Sequence, residues 1–325
     1  MRQAMATADV GDDVFGEDPT VQALEAEAAR VTGKDAALFV SSGTMGNQIA
    51  IALHTRPGDE VIVGEGAHVV FYESGAGPAL SGVQFSVAGT GGLFDADAME
   101  ERIHPAAHWS PRTSLVCVEN THNRAGGRIF PQAMAVAVAE RARARGLAVH
   151  LDGARIWNAS VATGLDVATL AAPFDTVSVC FSKGLGAPVG SALCASRELV
   201  ERARTIRKRW GGGMRQSGIL AAGALHALQH HRARLPDDHA NAKLFASALA
   251  NVARVDVGAV ETNIVNIDLE VPAAANVARA ARDLGVAINP TGPRRLRAVM
   301  HLDVTMADVL RAAELLREAI QRTAT

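Results

Sequence analysis

From about residue 19 to residue 230, short apolar runs bounded by turn residues alternate with stretches of helical periodicity. This alternation narrows the possible folds more than any other feature of the chain. The runs "AALFV", "EVIVG", "SLVCVEN", "LAVHLD" and "TVSVCFS" are strand-like. Between them, "DPTVQALEAEAARVTG" carries a complete set of helix signals: Asp18 as cap, Pro19 at the first position and Gly33 after the last turn. A second helix is expected through "NQIAIALH". Apolar strands that need cover on both faces, linked by helices, imply an α/β architecture with a parallel or mixed sheet between helical layers.

At 325 residues the chain is long enough for one large domain with a smaller one attached. Leu235-Pro236-Asp237 interrupts the helical pattern, and beyond it strands and helices mix. The expected division is a large domain over 1–235 and a small C-terminal α+β domain over 236–325. In the last helix Met306, Val309, Leu310, Ala313, Leu316 and Ile320 are expected to form one apolar stripe.

Composition then excludes several classes of function. With 48% hydrophobic and 20% charged residues and a formal net charge of −2, neither disorder nor a basic nucleic-acid surface is indicated. A small-molecule partner is expected instead. There is no apolar leader at the N-terminus and no run of about 18 apolar residues for a membrane span, so a cytoplasmic protein is expected. The cysteines Cys117, Cys180 and Cys194 are odd in number and scattered in strand-like runs, and they read as buried thiols rather than disulfides or zinc ligands. His230, His231 and His239 read as surface residues, and no metal-ligand cluster is evident.

One of the four lysines, Lys183, follows the apolar run "TVSVCFS" with no carboxylate near it in sequence. Burying an ammonium costs on the order of several kcal/mol unless it is paired, neutralised or used covalently. A buried amine is also readily depressed in pKa, as a Schiff-base nucleophile requires. An exposed lysine at the sheet rim is the plainer alternative. Asp152, however, ends another predicted strand, and ligands of α/β sheets bind beyond the carboxyl ends of the strands. An aspartate opposite a lysine suits a cofactor with an electrophilic carbon at one end and a pyridine nitrogen at the other. In "FVSSGTMGNQIAIALH", a strand, a turn of small residues and a helix start leave the N–H groups of Gly43, Thr44 and Met45 able to cradle a phosphate.

The segments "VGDDVFGEDPTV", "SSGTMGN", "ENTHN", "HLDGARIWN", "SKGLGAPVGS" and "GGGMRQSGILAAG" occur in the order found in the low-specificity L-threonine aldolases. The chain resembles that family from about Gly11 to Asp303. These enzymes have the aspartate-aminotransferase fold, type I of the fold classes that use pyridoxal 5′-phosphate (PLP). The resemblance implies that Lys183 carries PLP, that Asp152 partners its pyridine nitrogen, and that His68 stacks on its ring. It assigns Gly43 and Thr44 to the phosphate cup, with Ser182 a further phosphate contact. Arg155 and Arg297 match the positions that bind the substrate carboxylate, a task suited to the planar guanidinium. Because "GPRRLRAVM" holds three arginines, a shifted register would select another in place of Arg297. His122 matches a histidine near the substrate β-hydroxyl, with Glu73 and Glu119 as alternative acid–base groups.

The implied reaction is aldol cleavage of L-threonine, L-allo-threonine and related β-hydroxy-α-amino acids to glycine and an aldehyde. The alternatives are a PLP-dependent β-eliminating lyase on the same fold and a noncatalytic PLP-binding protein. By the same resemblance the glycine run and small-residue helix in "KRWGGGMRQSGILAAGALHAL" lie near a subunit interface. A homotetramer built from tighter dimers is expected, with Arg215 close to the cofactor. The family also opens with a Ser-Asp-Thr stretch that reaches the active site, whereas this chain opens at "MRQAMATADVGDD". PLP binding is expected without that stretch, at the cost of roughly tenfold in affinity for L-threonine.

Overall fold

A computed structural model describes residues 1–323. It divides into two compact units, residues 1–124 with 129–232, and residues 125–128 with 233 onward. The first unit is built on seven strands: β1 (Ala36–Val40), β2 (Glu60–Gly64), β3 (Gln84–Ala88), β4 (Thr113–Glu119), β5 (Ala148–Gly153), β6 (Thr176–Cys180) and β7 (Ser191–Ala195). Their order is β1-β7-β6-β5-β4-β2-β3. Strands β3, β2, β4, β5 and β6 run parallel, and β7 is antiparallel to both β6 and β1.

Every residue of β2, β4 and β6 is buried, which is why these strands read as continuous apolar runs rather than alternating ones. The helix α1 (Pro19–Thr32) begins at the Asp18 cap, has Pro19 in its first turn and ends on Gly33 at φ 67°, as its sequence signals predict. The next helix, α2 (Gly43–His54), packs on the sheet against β5, β6 and β7. Gly46 permits that approach. A Cβ there would lie 2.6 Å from the Ser178 hydroxyl oxygen on β6.

In the second unit β8 (Ile264–Asp268), β9 (Asn289–Gly292) and β10 (Arg295–Val299) form an antiparallel sheet in the order β8-β10-β9. Phe245, Val265, Ile267, Leu296, Val309 and Leu316 belong to its core. The expected stripe on the last helix, Met306–Thr323, needs correction. Val309, Ala313, Leu316 and Ile320 are buried, but Met306 is 62% and Leu310 44% exposed, and Ala319 is buried instead. At about 100° per residue, Leu310 lies a quarter-turn or more from Val309, while Ala319 closes the stripe on the other side.

His239 also departs from expectation, because it is buried rather than on the surface. It shares one face of the helix Leu235–Leu249 with Leu235, Asp238 and Ala242, all of them buried. Burial pushes its pKa down to about 4, with Lys243 adding in the same direction. The three cysteines are free and buried, as expected.

Candidate active site

The parallel strands β4, β5 and β6 deliver their carboxyl ends side by side, with Glu119 opposite Asp152 and Asp152 opposite Ser178. Lys183 follows β6 by three residues and is half-buried. Asp152 is 4% exposed; its Oδ1 accepts from the Ala154 N–H at 3.1 Å and its Oδ2 from Asn47 Nδ2 at 2.8 Å. Burial alone would raise the carboxyl pKa. The Lys183 ammonium, then His68, His150 and the Ala154 N–H, outweigh that and hold Asp152 below the usual carboxylate range. Asp152 and Lys183 therefore face one crevice.

His68 starts a single helical turn, His68–Phe71. Its backbone N–H donates to Glu119 Oε2 at 2.8 Å, and its ring Nδ1 lies 2.8 Å from Glu73 Oε1. Burial lowers the affinity of this imidazole for a proton, but Glu73, Asp152 and Glu119 together raise it above the ordinary value. Glu73 is 2% exposed and also takes hydrogen bonds from Asn47 Nδ2 (2.8 Å) and Gln48 Nε2 (2.6 Å). Ligand atoms of His68, Glu73 and Asp152 all lie within 4.8 Å of one another. Their oxygens are already engaged by amide donors, so the cluster is a hydrogen-bonded network as it stands.

At the start of α2 the phosphate cradle is narrower than expected. Ser42 Oγ accepts from the Met45 N–H at 3.2 Å, leaving Gly43 and Thr44 to supply the open N–H groups. Ser182 is exposed, with its Oγ 3.3 Å from Cys180 Sγ. Arg155 stands three residues after Asp152, at the start of the helix Ile156–Thr163, and is half-buried. His122 is 2% exposed; its Nε2 lies 3.6 Å from Glu119 Oε2, and a Cβ on Gly92, at φ 81°, would overlap the ring.

Arg215 and Arg297 were expected at the site as well. Arg215 pairs with Asp12, its Nε 2.7 Å from Asp12 Oδ2, and its guanidinium carbon is 6.0 Å from the centre of the Phe15 ring. Arg297 belongs to the second unit, on β10, where it lines a cavity of about 540 Å³ with Phe245, Asn289 and His301. Nearby, Arg295 is held by both oxygens of Asp268, and Arg294 reaches the Glu270 carbonyl.

The residues missed in the sequence lie behind Asp152. His150, two positions before it on β5, is wholly buried; its Nε2 is 3.2 Å from Asn47 Oδ1 and its Nδ1 2.9 Å from Thr176 Oγ1. His54 Nε2 lies 3.2 Å from the same hydroxyl. The available signal was a polar residue inside an apolar run, as His150 is in "LAVHLD".

Burial pushes the His150 pKa down to about 4, against the opposing pull of Asp152. The unfolded chain therefore binds a proton between about pH 6.5 and 4 that the folded protein refuses, and stability falls as pH drops through that window. The His150 contribution lost between pH 7 and pH 5 is about 2 kcal/mol. Urea unfolding at the two pH values checks this, and an unfolding midpoint that rises toward pH 5 would contradict it.

Comparison with known proteins agrees with this architecture. The Leishmania major threonine aldolase structure superposes with a TM-score of 0.79 at 21% identity, covering 97% of this chain and 92% of that one. A lysine-to-alanine variant of serine palmitoyltransferase from S. paucimobilis, solved with a bound PLP–myriocin aldimine, gives 0.77 at 18% identity, with 99% and 82% covered. The fold is thus that of the type I PLP-dependent enzymes. The family model described as β-eliminating lyase matches residues 1–272. Low-specificity L-threonine aldolase 1 of Arabidopsis thaliana is 43% identical over 319 residues, 95% of this chain and 89% of that protein. The chain belongs to the β-eliminating lyase family and, within it, to the low-specificity L-threonine aldolases.

Proposed function

We propose that the protein is a PLP-dependent carbon–carbon lyase that cleaves L-threonine, L-allo-threonine and related β-hydroxy-α-amino acids to glycine and an aldehyde. The observation that carries the reading is the buried Asp152 carboxylate, kept ionised and aimed by Asn47 and Ala154, with Lys183 facing it. A buried anion oriented by two donors fits a basic ring nitrogen. The residues present fit the cofactor at its other points too. Lys183 would hold it through its amine, Gly43 and Thr44 with Ser182 its phosphate, and His68 the face of its ring.

When bound, PLP supplies an electron sink for the pair left on Cα as the Cα–Cβ bond breaks. Arg155 would bind the substrate carboxylate, with Arg297 assigned to the same task on family resemblance. His122 Nε2 would take the β-hydroxyl proton as the oxygen's electrons form the aldehyde carbonyl, and Glu119, 3.6 Å away, would carry the countercharge. Return of a proton to Cα completes glycine. The imidazolium form of His68, favoured by Glu73, Asp152 and Glu119, would add positive charge beside the site.

No helix among the described residues is long and apolar enough to cross a membrane. A homotetramer of tighter dimers is proposed from the family resemblance, with Arg215 brought toward a cofactor site on assembly. Light scattering of the active protein checks this, and a fully active monomer would refute it. The test of the reaction is an aldehyde assay on L-threonine and L-allo-threonine with added PLP. Acetaldehyde and glycine in equal amounts are expected; pyruvate with ammonia, or PLP binding without turnover, would overturn the reading.

A further inference from the structure

The Asn47 side chain leaves little freedom in how protons are arranged behind Asp152. Its two Nδ2 hydrogens go to Glu73 Oε1 and Asp152 Oδ2, each at 2.8 Å, and both acceptors are buried carboxyl groups. Asn47 Oδ1 must then accept, so the nitrogen 3.2 Å from it, His150 Nε2, carries a hydrogen. The neutral His150 ring has a bare Nδ1, which needs a donor. Of its two neighbours, the Thr176 carbonyl at 3.1 Å cannot donate and the Thr176 hydroxyl at 2.9 Å can. The hydroxyl oxygen in turn lies 3.2 Å from His54 Nε2, which can donate to it. Donor counting gives one direction along the whole line, from His54 through Thr176, His150 and Asn47 to Asp152.

Beyond half-buried His54 the line is sealed from water: Asn47 is 1% exposed, and His150 and Thr176 are 0%. A flipped Asn47 amide would aim its oxygen at two carboxyl groups at once, with no solvent to soften the repulsion. We propose that Thr176 and His150 are positioning residues for the ring-nitrogen end of the cofactor site: by fixing the tautomer of His150 they lock the Asn47 amide in the sense that aims Asp152, and so set the affinity for PLP. This rests on the reading of Asp152 given above. Neither residue touches the cofactor in this account; both act through Asn47.

The test uses the full chain freed of PLP and titrated with PLP, binding being followed by absorbance. Thr176→Val keeps the shape and removes the hydroxyl, and it is expected to weaken PLP binding by about tenfold. Thr176→Ser restores a hydroxyl and is expected to bind within about twofold of the parent, because only the donor matters. Thermal unfolding of each PLP-free variant separates positioning from general destabilisation. Should the valine variant not accumulate, His150→Leu against His150→Gln makes the same comparison, since glutamine offers an N–H to Asn47. Unchanged PLP affinity in Thr176→Val, or losses in both Thr176 variants that follow their melting temperatures, would overturn the proposal. Asp152→Asn serves as reference. If it weakens PLP binding and Thr176→Val does not, the relay alone fails; if Asp152→Asn binds PLP as tightly as the parent, the reading of Asp152 fails.

Discussion

Replacing Lys183 with alanine is expected to abolish turnover, a loss of about 10⁴-fold or more, as for other groups that act as the covalent attachment of a cofactor. The lysine stands three residues beyond a fully buried strand and faces the Asp152 carboxylate. The other three lysines occupy different chemistry; Lys34, for instance, donates to the Phe174 carbonyl at 2.5 Å. Borohydride reduction of the PLP-loaded protein followed by peptide mapping checks the assignment. The pyridoxyl group should appear on Lys183, and a label on another lysine would overturn it. The alanine variant should keep its fold, because a half-buried side chain is removed and no core volume is lost.

The second large effect concerns stability. Asp18 is 1% exposed, and its carboxylate serves two helices at once. Oδ1 accepts from Thr20 N–H (3.1 Å) and Val21 N–H (3.0 Å) at the start of α1. Oδ2 accepts from Gly218 N–H at 2.8 Å, at the start of the helix Gly218–His230, and from Gly11 N–H at 3.3 Å. A single cap contributes about 0.5–2 kcal/mol, so Asp18→Ala, which strips two helix starts inside a buried setting, should cost about 2–4 kcal/mol. Asp18→Asn should fall between, since its amide retains one acceptor oxygen. Urea unfolding measures both, and an alanine variant within 0.5 kcal/mol or so of the parent would show that water replaces the carboxylate.

The sequence disclosed those parts of the fold whose signals are local. Asp18, Pro19 and Gly33 bracket α1 because caps act within four residues, and five strands of the large sheet stood out because both their faces are covered. The strand Gln84–Ala88 escaped notice because it forms a sheet edge with mostly exposed or half-buried residues. Ser191–Ala195 escaped for the opposite reason: it is wholly buried but made of small residues with little strand preference.

The site divides in the same way. Lys183, Asp152, Gly43 and Thr44 drew attention as candidates because each sits in a short motif, and His68 did so through the family resemblance. Asn47, Gln48, His150 and Thr176 were not, although Asn47 and His150 lie inside motifs that drew attention for other residues. Their roles exist only across separations such as the 105 residues between Asn47 and Asp152 or the 103 between Asn47 and His150. Sequence also could not choose among Arg294, Arg295 and Arg297, because pairing such as that of Arg295 with Asp268 or of Arg294 with the Glu270 carbonyl joins residues more than twenty positions apart.

The buried cysteines give the large sheet a built-in clock. Cys117, Cys180 and Cys194 lie on β4, β6 and β7, and burial pushes the Cys117 thiol far up and the Cys194 thiol up to about 12. All three sulfurs are buried while the sheet is closed, so each alkylation event by a thiol-directed reagent records an opening. If the sheet opens as one cooperative unit, the three sites acquire label at a common rate. If β7 and its neighbours part first, Cys194 runs ahead of Cys117, and mass spectrometry reads the order of separation strand by strand.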